Sequence, residues 1–339
     1  MIGALFAVVL AAAQPAPPPV LTPYLHGERF DPGDYGWMRG RFDDATDTQK
    51  AEWRSLWAWR NQCRARQFAA IRAELAKRGV VPTASIEQSN GTGLCGALGY
   101  ALPHGTSREN WAAFQASLGR ARPVAQTLIW GAGLAQAAAD PDKADDAARL
   151  RARPMTDQML RQAVTWNDGE TKGAPALDPA ARGVAEGLIW LAIGERDHAN
   201  TAWLKALVAA RGWPTIARVG EEASHHAWLL VQHADDDPVF QLDMLRSMQP
   251  LAEHGEVAKR DFAYLWDRVM LKLTGTQRYG SQFTCAGGRN APQPLDDPAH
   301  VDAARRAMGM GTLAEATADI DKLYGPCPPE PVGASPAVH

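Results

Sequence analysis

Apolar residues in this chain recur at every third and fourth position over long stretches, the spacing that gathers them on one face of an α-helix and that a strand, with its period of two, cannot use. Phe68, Ile71 and Leu75 share a face in a segment rich in Ala, Arg, Glu and Leu that reads as a helix over 48–77. Further helices are expected over 108–139, 142–165, 180–193, 199–211, 216–234, 238–251 and 257–273. Alternating strand patterns are scarce. The fold class is therefore mainly α, as an irregular multi-helix bundle or as stacked helix pairs.

Breaks in the pattern set the organisation. Asn90-Gly91 with Gly93 and Gly96 reads as a loop over 89–99, and Asp140-Pro141 separates two helices. Gly169, Gly173, Pro175 and Pro179 mark the most plausible boundary, giving an N-terminal helical region over 35–172, a C-terminal helical domain over 173–327 and a tail over 328–339. Gly212 and Pro214 stop one helix, and Thr215 caps the next.

The first residues read as a targeting segment. Ala4 to Ala13 form an apolar run ending in small residues, too short for a membrane span, so 1–13 is expected to be a signal peptide. A proline-rich tether is expected over 14–34. Export to the periplasm or the exterior follows, with no stable membrane anchor after cleavage. Four cysteines fit an oxidising compartment. Pairing Cys63 with Cys95 and Cys285 with Cys327 closes a loop within each half, worth about 4 kcal/mol for either bridge. No CxxC spacing is present to suggest zinc.

A formal charge of -3 offers no overall basic surface, which argues against nucleic acid as a partner. The tryptophans do not point to sugar stacking, because Trp53, Trp57, Trp190, Trp203 and Trp266 fall among apolar neighbours at helical spacings and read as core. Gly131-Ala132-Gly133 lacks a preceding strand, and no GxSxG, SxxK or P-loop pattern occurs.

Chemistry-bearing residues concentrate after residue 215. On a helix over 216–234 the apolar stripe Ile216, Val219, Ala223, Ala227, Leu230 and Ala234 places Glu222, His226 and His233 along one border, where partial burial shifts pKa values while water still enters. The spacing is not HExxH, and no metal set is assigned. The next helix has the stripe Phe262, Leu265, Trp266, Val269 and Leu273, and Gly275 and Gly280 then allow a polar loop to turn back over it.

Several of these segments form a recognisable series: Gly212-Trp213-Pro214-Thr215, Trp228 through Asp235, Phe240-Gln241, Asp267-Arg268-Val269 and Gln277-Arg278-Tyr279-Gly280-Ser281-Gln282. The series resembles that of a bacterial family carrying only a domain-of-unknown-function label, over roughly 197–325. Ser281 stands where that pattern more often has Thr, which keeps the hydroxyl. The resemblance implies a mostly helical domain, brings no substrate, and directs attention to Gln232, His233, Asp235, Asp267, Arg268, Gln277, Tyr279 and Gln282.

Two functions fit these residue types. The first, slightly favoured because no nucleophile is visible, is a binding module for a polar cell-envelope ligand or a protein, using Glu222, Gln232, Gln241, Gln277, Tyr279 and Gln282 as donors and acceptors. The second is a hydrolytic enzyme with His233 as general base, Asp235 or Asp267 as its orienter and Arg268 or Tyr279 stabilising negative charge. A purely structural role for the cluster is the third reading. No cofactor is assigned.

Overall fold

The computed structural model of the chain describes residues 16–27, 29–103, 105, 108, 110–139, 145–166 and 176–325. The chain is mainly helical: α1 Asp47–Lys77, α2 Gly93–Tyr100, α3 Trp111–Ala139, α4 Asp146–Ala152, α5 Pro154–Trp166, α6 Pro179–Arg211, α7 Ile216–Val219, α8 Glu221–Gln232, α9 Pro238–Glu253, α10 Lys259–Thr274, α11 Val301–Ala307 and α12 Leu313–Tyr324. Two small antiparallel hairpins complete it. They are β1 Leu25–His26 with β2 Arg29–Phe30, and β3 Phe283–Ala286 with β4 Arg289–Pro292. Among the described residues no helix is long and apolar enough to cross a membrane.

Local chemistry explains most helix ends. Thr46 and Gln49 form a reciprocal capping box at the start of α1. Asp178 and Asp237 accept from the Ala181 and Phe240 amides ahead of prolines at the first turns of α6 and α9. Four boundaries differ from the sequence expectation. Residues 93–100 are helical despite their glycines, because Leu98 and Cys95 are buried and Cys63–Cys95 is bridged, with an Sγ–Sγ distance of 2.06 Å. The helix expected over 142–165 is two, since Pro154 has no amide to continue α4. That expected over 216–234 is broken at Gly220, whose φ of 84° ends α7. Conversely, 180–193 and 199–211 are one helix, α6, running through the charged segment Glu195 to His198.

Two apolar cores flank α6. One joins Leu21, Trp37, Phe42, Leu56, Leu98, Phe114 and Leu160 to Ala181, Val184 and Ile189. The other joins Leu75, Ile86 and Leu150 to Leu204, Leu207, Trp228, Leu245, Leu265 and Val269. Both cores therefore draw on residues from either side of the glycine- and proline-rich stretch that marked the expected boundary.

The N-terminal expectations change in part. The segment Pro19–Tyr24 is a 3-10 helix with Leu21 fully buried, so it packs as part of the first core instead of running as an extended tether. The signal segment over 1–13 and the tail over 328–339 lie outside the described residues, as does Cys327, the expected partner of Cys285. The five tryptophans read as core are half-buried. Trp57, Trp190, Trp203 and Trp266 each lie under a guanidinium, that of Arg60, Arg161, Arg153 or Arg278, an arrangement that keeps one ring face near water and fixes the arginine.

Candidate functional site

At about 1.5 Å per residue α6 is roughly 50 Å long, and it gives its ends to the two cores and its middle to a polar cavity. Asp197, His198, Thr201, Ala202 and Lys205 line that cavity from α6; Thr92 and Tyr100 line it from α2 and its approach, and His233, Ala234, Asp236 and Asp237 from the loop after α8. The cavity volume is about 160 Å³. Tyr100 reaches it because α6 has glycine beneath its ring: a Cβ at Gly194 would lie 2.9 Å from the Tyr100 ring carbons, closer than real side chains pack. The Tyr100 hydroxyl then donates to Asp236 Oδ2 at 3.0 Å.

His233 follows the last residue of α8, with φ near -88°, and turns its ring toward α5. Its Nδ1 lies 2.6 Å from Oδ2 of Asp157. Asp157 is fully buried, and the His233 side chain is only 10% exposed. Arg161, one turn on from Asp157, donates through Nε to Asp157 Oδ1 at 2.6 Å and through Nη2 to Asp197 Oδ2 at 2.8 Å. Gln158 adds a donor to Asp157 at 3.0 Å. Arg161 is in turn seated over the Trp190 ring.

Burial opposes the Asp157 charge, but the His233 hydrogen bond and the Arg161 charge outweigh it and hold the carboxyl below the usual carboxylate range. Burial dominates at His233 and, helped by the charges of Arg161 and Arg268, lowers its pKa despite the Asp157 bond. The ring is thus neutral at neutral pH, with Nδ1–H donating to Asp157 and Nε2 left as the basic nitrogen. Asp197 goes the opposite way: burial and the nearby Asp157 charge push it up to about 9, beyond what Arg161 offsets. It therefore carries a proton at neutral pH. Asp236 is also raised by burial, more than its Tyr100 bond lowers it. A base and an acid with pKa values driven apart in one cavity can move a proton in both directions.

The same region offers ligand atoms from Asp157, Asp197 and His233 within 4.8 Å of one another, a spacing a metal ion could use. Arg161 already sets a fixed cation against both carboxyls, so a metal would have to share them with a guanidinium.

The residues singled out from sequence divide between this cavity and its supports. His233 lines the cavity, and Asp235, two positions on, is absent from its lining and is paired with cations of α10. Arg268 binds Asp235 through both Nε and Nη2, and Lys272 donates to it at 2.8 Å. Burial disfavours the Asp235 charge, yet these two cations hold its carboxyl well below the ordinary value. The carboxylate in contact with His233 is that of Asp157, not Asp235 or Asp267.

Asp267 is fully buried and accepts backbone amides of Arg278, Tyr279 and Ser281 at 2.8, 2.9 and 2.8 Å. Gln277 donates to the Gln282 and Gln293 carbonyls and accepts from the Gln282 amide, while the Gln282 side chain bonds Ser281. Gln241 donates to the Val231 and Gln232 carbonyls, pinning the end of α8. Tyr279 is buried away from His233 and lines a second cavity of about 340 Å³ with Phe262, Trp266 and Arg278. The Gln232 Oε1 is buried without a partner. Glu222 is exposed at the start of α8, 4.0 Å from Arg151, whereas His233 stands just past the other end of that helix.

A family model described as a family of unknown function, DUF6624, matches residues 147–326, more than half of the 339-residue chain. The chain belongs to that family. The match begins some fifty residues before the motif series recognised in the sequence and takes in Asp157, Arg161, Asp197 and His233, whereas Thr92 and Tyr100 precede it. No curated protein and no solved structure matches the chain. Asp157, Arg161, Asp197, Asp236 and Tyr100 went unremarked in the sequence. The signals available were slight: an Asp-to-Arg spacing of four on one helix and the triple aspartate after His233.

Proposed function

We propose that this chain is an exported enzyme of hydrolytic type in which His233, oriented by Asp157, acts as general base and Asp197 as general acid. The single observation that carries the reading is the 2.6 Å bond from His233 Nδ1 to a fully buried carboxylate. Such a bond fixes the tautomer and leaves Nε2 to take a proton from a water in the cavity. The water oxygen then attacks an electrophilic carbon or phosphorus, and the departing group takes its proton from the Asp197 carboxyl. His233 returns its proton to the ionised Asp197 through solvent to close the cycle.

The carboxamides on which a binding module would draw favour this reading over that one: Gln241 and Gln277 spend their amides on main-chain groups. Export is supported by the Cys63–Cys95 bridge, because such bonds persist outside the reducing cytosol, and by the apolar run at the N-terminus. The substrate is sought in the cell envelope. The test is a turnover screen of the oxidised mature chain against envelope-derived esters, amides, glycosides and phosphoesters, with His233→Ala and Asp157→Asn in parallel and divalent metals added or chelated. Turnover that both substitutions abolish and chelation leaves intact supports the reading. Turnover that survives His233→Ala, or none on any class, contradicts it.

A further inference from the structure

The cavity of about 340 Å³ takes no part in the acid–base reading and shares no lining residue with the His233 cavity. Its floor is Ala252, Phe262 and Tyr279, each no more than 5% exposed, and its walls are the half-buried Trp266 and Met308. Gln249 and Glu253 of α9, Lys259 of α10 and Arg278 of the loop stand exposed at its rim. The volume exceeds the roughly 300 Å³ at which pockets for small molecules begin, and an apolar floor with a few polar groups at the mouth is the ordinary make-up of such a pocket.

The loop that supplies Arg278 and Tyr279 is held through its main chain. Asp267 takes the Arg278, Tyr279 and Ser281 amides, and Arg305 donates to the Tyr279 carbonyl at 2.6 Å. The two side chains are left to the cavity: the Arg278 guanidinium stacks over the Trp266 ring, 4.4 Å from its centroid, and interacts with the Tyr279 hydroxyl. A guanidinium seated on a ring is fixed in orientation, with its N–H edge turned outward in the geometry that a carboxylate matches. Asp296, outside the lining, reaches it through Nε only at 3.5 Å, longer than an ordinary charged hydrogen bond. Lys259 and Glu253 have no ion pair among the described residues.

We infer that this cavity binds a small ring-bearing carboxylic acid, its ring against Phe262, Trp266 and Tyr279 and its carboxylate on Arg278 and Lys259. Three aromatic side chains receive an apolar ring edge to face. An ammonium head is disfavoured, because the Trp266 face that would attract it already carries Arg278, with Lys259 at the same rim. Two rim cations against the one carboxylate of Glu253 leave a single negative charge to be matched. The Tyr279 hydroxyl, accepting from Arg278, keeps its own proton to donate to the ligand carboxylate. This site does not rest on the catalytic reading above.

Calorimetric titration of the oxidised full chain at neutral pH tests this with three probes of one body: phenylpropionate, phenylpropanol and phenylpropylamine. The acid binds about tenfold or more tightly than the alcohol, a preference of the size a charged contact produces, and the amine binds most weakly. Arg278→Gln, at an exposed position, removes most of the acid's advantage and leaves the alcohol unchanged. Location is read from spectra of methyl-labelled methionine: the Met308 resonance, assigned with Met308→Leu, shifts as the acid is added, and shifts equally in His233→Ala. Silence of the acid up to about 20 mM, where millimolar affinity registers, overturns the inference. So do equal binding of acid and amine and an acid preference that Arg278→Gln leaves intact. Binding that leaves the Met308 resonance in place, or that vanishes with His233→Ala, overturns it too, because the ligand then sits elsewhere.

Discussion

Asp267, fully buried on α10, and Asp197, half-buried on α6, are treated in opposite ways. Asp267 receives backbone amides on both of its oxygens and ties the loop 275–282 to α10. Asp197 has one oxygen on an arginine it must share and the other on nothing, in a cavity. Buried polar groups are mostly satisfied, and the contrast separates a carboxylate spent on holding a loop from one with an oxygen to spare beside a cavity. The loop region holds structure. The cavity region is where the proposed chemistry is placed.

Substitutions that strike each region in turn can break that contrast. The largest effect expected is on turnover: His233→Ala lowers the activity found in the envelope screen by about a thousandfold, in the range lost with a positioned general base, while urea denaturation shows under about 2 kcal/mol of lost stability. Parallel loss of fold and activity would put His233 with the structural set. Next is Asp267→Ala, which strands the amides of Arg278, Tyr279 and Ser281 and is expected to cost about 3 kcal/mol or more in the same denaturation experiment. Gln277→Ala acts on the same loop with fewer bonds and is expected to cost about 1 to 2 kcal/mol. Neither loop substitution lowers the His233-dependent turnover if the two regions are as distinct as their hydrogen bonding.

The smallest effect is the most diagnostic. Asp197 has its folded pKa raised to about 9, above the value near 3.9 of an unfolded aspartate. The folded state therefore favours the protonated form, and wild-type stability falls as pH rises through the interval between those two values. Asp197→Asn carries no ionisable group there. Its Tm is expected to match wild type near the acidic end of that interval and to exceed it by a few degrees near the alkaline end, in melts followed by circular dichroism. A Tm difference independent of pH would show that Asp197 is ionised in the fold and paired by Arg161.

How much of this was legible in the sequence follows the reach of each interaction. Helix spacing and the stop at Gly212 are local, and α1, α9 and α10 lie within a few residues of expectation, whereas Thr215 stands at the start of α7 without a capping side-chain bond. The Gly220 break and the continuity of α6 through Glu195 to His198 are decided by packing between elements, which periodicity does not encode. His233 was visible because it borders an apolar stripe. Its partner Asp157 lies 76 positions earlier, on a helix whose start depends on Pro154, and no local pattern links them. The carboxamides drew attention as ligand contacts because main-chain and ligand partners demand the same side-chain chemistry; only the hydrogen bonds that Asp267 and Gln277 make in the fold separate the two duties.

The state of the His233 ring tests the account most directly. In protein labelled with 15N-histidine, long-range 1H–15N correlation spectra report which ring nitrogen holds the proton. A neutral ring is expected at neutral pH, with Nδ1 protonated toward Asp157 and Nε2 bare, becoming cationic only below the ordinary imidazole range. A ring already doubly protonated at neutral pH would contradict it, because His233 would then be the charged half of a buried ion pair with no lone pair left to take a proton.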